Sequence, residues 1–104
     1  MSIPARLKVG GLYYDIVVTD EPLILDNVRC KGLINHEHQT INLAGDSVQS
    51  EQGREQTLMH ELVHAFTHSR NLDWGDKNEL YTDELGIALH TFFVDNQIYF
   101  KEPS

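Results

Sequence analysis

Residues 60–64 read His60-Glu61-Leu62-Val63-His64, an H-E-x-x-H string inside a segment with helical periodicity. Leu58, Met59, Leu62, Val63 and Phe66 lay an apolar stripe along that segment, with His60 and His64 at its edge. Two imidazoles four residues apart share one helical face, about 6 Å apart along the axis. That separation lets two ring nitrogens converge on one ion at about 2.0–2.1 Å. Glu61 projects beside them, where it can take a proton from metal-bound water, so the string points to hydrolysis. The alternative is an amphipathic helix that merely carries histidines on its polar rim.

Such a helix needs a partner layer, and the upstream sequence supplies one. Leu12 to Thr19 is β-branched and aromatic and reads as a strand after the Gly10-Gly11 turn. Asp20-Glu21-Pro22 breaks it, and Leu23 to Val28 fits a loop or a short strand. Lys31 to Asn35 and Thr40 to Leu43 read as two strands joined by His36-Glu37-His38-Gln39 in a hairpin. Ala44 to Gln52 is polar loop, and Ser50-Glu51 offers a helix start without the spacing of a capping box. The H-E-x-x-H helix is expected from Glu51 or Arg54 to Ser69, followed by a turn over Asn71 to Lys77. A second helix is expected from Asn78 to Asn96, with Leu85, Ala88, Leu89, Phe92 and Phe93 on its core side. Tyr99 to Ser104, with Pro103, is expected to fray. The order gives an α+β fold, a short antiparallel β-meander followed by two helices on one face, as one domain over residues 1–104.

Composition narrows the partners. The net charge is −8, which argues against a nucleic-acid binder, since that needs a basic face for phosphates, and against an anionic membrane surface. A polypeptide substrate with basic segments would be steered in more easily. A single cysteine, Cys30, cannot form an internal disulfide and is expected to be a small buried strand residue. No apolar run approaches the roughly 20 residues of a membrane span, and Met1 to Leu12 lacks the apolar core of a secretory signal. The expected location is the cytoplasm.

A catalytic zinc uses three protein ligands and leaves one position to water. His68 continues the four-residue series, but it lies about 12 Å from His60 along the axis and cannot share one ion with it. On the second helix, Glu79, Asp83, Gly86 and His90 fall within about 60° of one another. Glu79 is favoured as the third ligand, and Glu84 is the alternative. Asp83 is placed to hold a ligand histidine by its other nitrogen. Gly86 would let the two helices approach closely. His36 and His38, flanking Glu37, share a face in an extended chain and make a secondary candidate site.

The residues His60-Glu61-x-x-His64 and Glu79-x-x-x-Asp83 resemble the gluzincin clan of zinc metallopeptidases. The stretches HELVHAF at 60–66 and Glu79-Leu80-Tyr81-Thr82-Asp83-Glu84-Leu85-Gly86 look like the small phage and prophage proteins of the ImmA/IrrE-like group. The resemblance covers roughly residues 30–96, and the E-A-N signature of the larger members is absent. It implies a minimal zincin-like domain of a bacterial or phage-infected cell. In that reading one Zn2+ is held by His60, His64 and Glu79, Glu61 is the general base in peptide-bond hydrolysis, and Tyr81, His90 or His68 steadies the oxyanion. Two rivals stand beside it. One is a zinc-stabilised module that binds a host factor without catalysis, with a protein partner completing so small a cleft. The other is a purely structural protein with an accidental motif.

Overall fold

The computed structural model describes residues 2–101. Six strands precede two helices: β1 (Arg6–Val9), β2 (Leu12–Thr19), β3 (Leu23–Leu25), β4 (Val28–Cys30), β5 (Gly32–Asn35), β6 (Thr40–Ala44), α1 (Glu51–Ser69) and α2 (Asn78–Asp95). The chain is a mixed α+β fold. Pro103 and its neighbours, residues 102–104, lie outside the described residues, so the expected fraying there has no structural counterpart; Phe100, just before them, packs its ring 5.6 Å from Phe93.

The sheet is not the simple antiparallel meander expected from strand order. Its order is β1-β2-β6-β5, and β2 pairs with β6 in parallel, Ile16 opposite Ile41. The reason lies between them. Asp26 and Asn27 both adopt positive φ, 52° and 63°, the geometry of a two-residue hairpin turn. They fold β3 on β4 as a separate ribbon, which carries the chain to the far edge before β5 and β6 return. β6 therefore enters the centre of the sheet, where Ile41 and Leu43 are wholly buried. At the other edge, Gly10-Gly11 turns β1 back on β2, a strand absent from the sequence reading.

Helix α1 begins where Ser50 caps it: the Ser50 hydroxyl accepts a hydrogen bond from the Gly53 amide at 3.1 Å. Leu58, Met59, Leu62 and Ala65 then pack with Tyr14, Ile16, Ile41, Leu43 and Val9 into one core. The stripe runs out at Phe66, expected inside but 43% exposed near the helix end. α2 lies chiefly on α1, which is thus sandwiched between α2 and the sheet.

The rotation of α2 also differs from expectation. Its buried row is Thr82, Gly86 and His90, while Leu85, Ala88 and Phe92 are exposed and Leu89 and Phe93 are half-buried against the core. Gly86 sets this contact. A Cβ there would stand 2.9 Å from His60 Cα and 3.0 Å from His60 N, so the two backbones meet where only glycine fits. Cys30 ends β4 half-buried, not enclosed in the core as expected.

Candidate metal centre

The close crossing at Gly86 places the start of α2 beside the middle of α1. Glu79 Oε1 lies 3.1 Å from His64 Nε2, and Glu79 Oε2 lies 3.6 Å from His60 Nε2. One ligand atom from each of the three residues falls within 4.8 Å of the other two. Donors about 2.05 Å from a tetrahedral ion are separated by about 3.3 Å, so the set fits one divalent cation of zinc's size. The two imidazoles meet edge to face, 72° between planes, as rings converging from successive turns do.

The surroundings match what such ligands require. His60 Nδ1, on the side of the ring away from Glu79, lies 3.5 Å from Asp83 Oδ1. A carboxylate in that place holds a ligand histidine in one tautomer and one orientation. Burial lowers the His64 pKa; the Glu79 charge opposes that shift and His60 adds to it. The net effect favours the neutral imidazole that binds metal.

Glu61 projects from α1 toward β5, beside the same groove as His60, and is buried. Gly32 makes that contact possible: a Cβ there would meet Thr57 Cγ2 at 2.6 Å and Glu61 Cγ at 3.3 Å. Burial first, and the nearby Glu79 charge second, push the Glu61 carboxyl from 4.5 to about 7. A carboxyl that titrates near neutrality exchanges protons readily at working pH.

A groove runs past these groups in two lobes of about 340 Å³ each, which share Gly32, His60 and Glu61. One lobe is polar, with Lys31, Gln56, Thr57 and Asp83. The other is bounded by Leu25, Cys30, Leu33 and Ile34 and contains His36, His64 and Glu79. β5 and the β3–β4 ribbon thus form the wall facing α1.

The remaining expected residues go elsewhere. Glu84 is exposed and outside the ligand cluster. Tyr81 packs edge-on against Trp74, 5.6 Å between centroids, and lines neither lobe. His90 is turned into the helix interface, with Nε2 3.2 Å from Glu55 Oε1 and both side chains buried. His68 is exposed and lies flat on His36, centroids 3.9 Å apart and planes within 5°. His36 and His38 do not form a second cluster, because the turn leaves His38 exposed while His36 reaches inward to the Tyr14 hydroxyl at 3.2 Å. Burial, then His68 and His64, lower the His36 pKa.

Gly32 escaped the sequence reading as a groove residue, His36 was read only as part of a secondary metal site, and Tyr14 was not foreseen as its partner. The alternation that buries Tyr14 with Ile16 was visible, but the parallel β2–β6 pairing that carries Tyr14 under the hairpin was not. Among the described residues no helix is long and apolar enough to cross a membrane. Compared with protein-family models, curated proteins and solved structures, the chain has no significant match to any of them.

Proposed function

We propose that this chain is a zinc-dependent metallopeptidase of the gluzincin type, a minimal zincin-like domain similar to the ImmA/IrrE-like group. The observation that carries the reading is the convergence of His60, His64 and Glu79 on one point, with the buried Glu61 carboxyl beside the same groove. The three ligands would leave one position of a tetrahedral ion open. Zinc held there would acidify a water molecule and polarise a substrate carbonyl. Glu61 takes the proton from the attacking water, and the water oxygen bonds to the peptide carbonyl carbon. The C–N bond then breaks, and Glu61 hands the proton to the leaving amine. Asp83 keeps His60 oriented, and Glu79 supplies the negative charge that offsets the ion. The groove walls, apolar on one side and polar on the other, suit an extended polypeptide.

A second reading is a metal-stabilised binding module without turnover. It is favoured by the apolar side chains left in solvent on α2 and on the ribbon, where Phe92 is 57% and Val28 62% exposed. A partner protein covering them would also complete the groove.

Elemental analysis and native mass spectrometry of protein purified without chelator test the common core of both readings. One zinc per wild-type chain and none in His60→Ala or Glu79→Ala is expected; metal-free wild type sinks both. Cleavage of a peptide library by wild type but not by zinc-loaded Glu61→Gln then separates peptidase from module.

A further inference from the structure

The peptidase reading leaves one task that none of the residues expected for it fills: a hydrogen-bond donor for the oxygen of the attacked carbonyl. The residues expected to do this, Tyr81, His90 and His68, line neither lobe of the groove. His36 does line it, on the same lobe as His60, Glu61, His64 and Glu79. It comes from the turn after β5, on the wall opposite the metal ligands.

We propose that His36 is a catalytic residue of this site, donating a hydrogen bond from Nε2 to the carbonyl oxygen as it becomes an oxyanion, and that Tyr14 is the positioning residue that fixes its tautomer. The inference rests on the metallopeptidase reading and deepens it. Three observations carry it. The His36 ring is clamped: His68 stacks on one face at 3.9 Å, and Tyr14 meets its edge at 90°. Its Nδ1 is engaged by the Tyr14 hydroxyl at 3.2 Å. Tyr14 itself is 2% exposed within the core, so Nδ1 faces inward, and Nε2 is the ring nitrogen that remains for the groove His36 lines.

The polarity of that bond decides the chemistry. A phenol is a far better proton donor than acceptor, and burial holds the Tyr14 hydroxyl in its protonated form by raising its pKa. The Tyr14 hydroxyl therefore donates to Nδ1. A neutral imidazole that accepts at Nδ1 carries its proton on Nε2. The result is a donor held in place before substrate arrives, which is the condition for stabilising developing negative charge without reorganisation. No proton leaves His36 in this role; it donates a hydrogen bond and keeps its N–H.

The test uses the cobalt-loaded protein, whose visible spectrum reports both the metal and its ligands, and N-phosphoryl-leucinamide as a tetrahedral oxyanion probe. Wild type is expected to bind the probe. His36→Ala should weaken that binding at least about tenfold, as loss of one oxyanion donor does, while its affinity for cobalt stays within about twofold. His36→Gln, which restores an N–H donor of similar reach, should recover most of the loss. Tyr14→Phe, which keeps the ring and removes the hydroxyl, should weaken the probe several-fold and leave cobalt binding alone. Equal probe affinity in wild type and His36→Ala overturns the proposal, and so does a wild type that takes cobalt but no probe. Failure of wild type to take cobalt at all removes the metallopeptidase reading itself, and the proposal with it.

Discussion

Replacing Glu61 by glutamine in the metal-free protein should change stability by an amount that depends on pH. The Glu61 carboxyl is buried and titrates at about 7 in the folded chain, against 4.5 when free. Between those values the folded protein holds a proton that the unfolded chain has released, so its stability falls as pH rises through that window. The interval from 4.5 to about 7, at about 1.4 kcal/mol per pH unit, amounts to about 3 kcal/mol lost by pH 8. Glutamine has the same shape and no charge to bury, so the variant escapes this loss. Working upward from pH 5.5, above the pI near 5.0, the stability of Glu61→Gln relative to wild type should climb by about 2 kcal/mol by pH 8. The lowered pKa of His64 acts the other way, costing stability as pH falls below the usual histidine range, but it is common to both proteins and drops out of the difference. Urea unfolding in EDTA at four pH values measures the quantity. A difference that stays flat across that range would refute the claim that burial and the Glu79 charge hold the Glu61 carboxyl near neutrality. With zinc bound, the positive charge next to the carboxyl should lower its pKa and shrink the slope.

Three further outcomes follow from the same geometry. Removing zinc from the loaded protein should lower its Tm by at least about 10 °C, because a ligand present at 100 times its Kd contributes about 2.7 kcal/mol and a domain of this size shifts by about 4–8 °C per kcal/mol; an unchanged Tm in calorimetry would speak against a native ion. Gly86→Ala should cost about 1–3 kcal/mol in urea unfolding and weaken cobalt binding in parallel, since the new methyl meets the His60 backbone and drives Glu79 away from the imidazoles. Thr82→Val should be neutral or stabilising by about 1 kcal/mol, because the Thr82 hydroxyl is buried with no hydrogen-bond partner among the described residues. A marked loss in that variant would mean the hydroxyl has a partner, such as a buried water.

Part of this architecture is legible in the amino-acid sequence. The boundaries of α1 and β2 follow from period and capping, and Ser50 caps where its residue type suggested. Glu79 and Asp83 share a face of α2, as helical angles alone require, but what sets them 3.1 Å from His64 and 3.5 Å from His60 is the crossing of α2 on α1. The strand order was not legible. Asp26-Asn27 makes a tight turn only by taking left-handed backbone at two non-glycine residues, a choice that tertiary contacts settle. Once the β3–β4 ribbon forms, β6 must pair with β2 in parallel, and His36 arrives over the groove as a consequence.

The face that α2 presents to α1 shows why its orientation was misread from apolar pattern alone. Leucines and phenylalanines occur around much of that helix, so burial by itself would favour turning Leu85 and Phe92 inward, at roughly 1.5–3 kcal/mol for each large side chain removed from water. The chain instead buries Thr82, Gly86 and His90, a row poor in apolar area, and leaves Leu85 and Phe92 in solvent. Rotating α2 to bury those two would swing Gly86 off His60, open the backbone contact and carry Glu79 and Asp83 away from the imidazoles on the same rigid cylinder. The close crossing also encloses the Glu55–His90 pair, which a rotated helix would expose. A sequence that forgoes this much apolar burial in one helix keeps three donors within 4.8 Å. Under the proposed metal-site reading, that forgone burial is what keeping the three donors together on this helix requires.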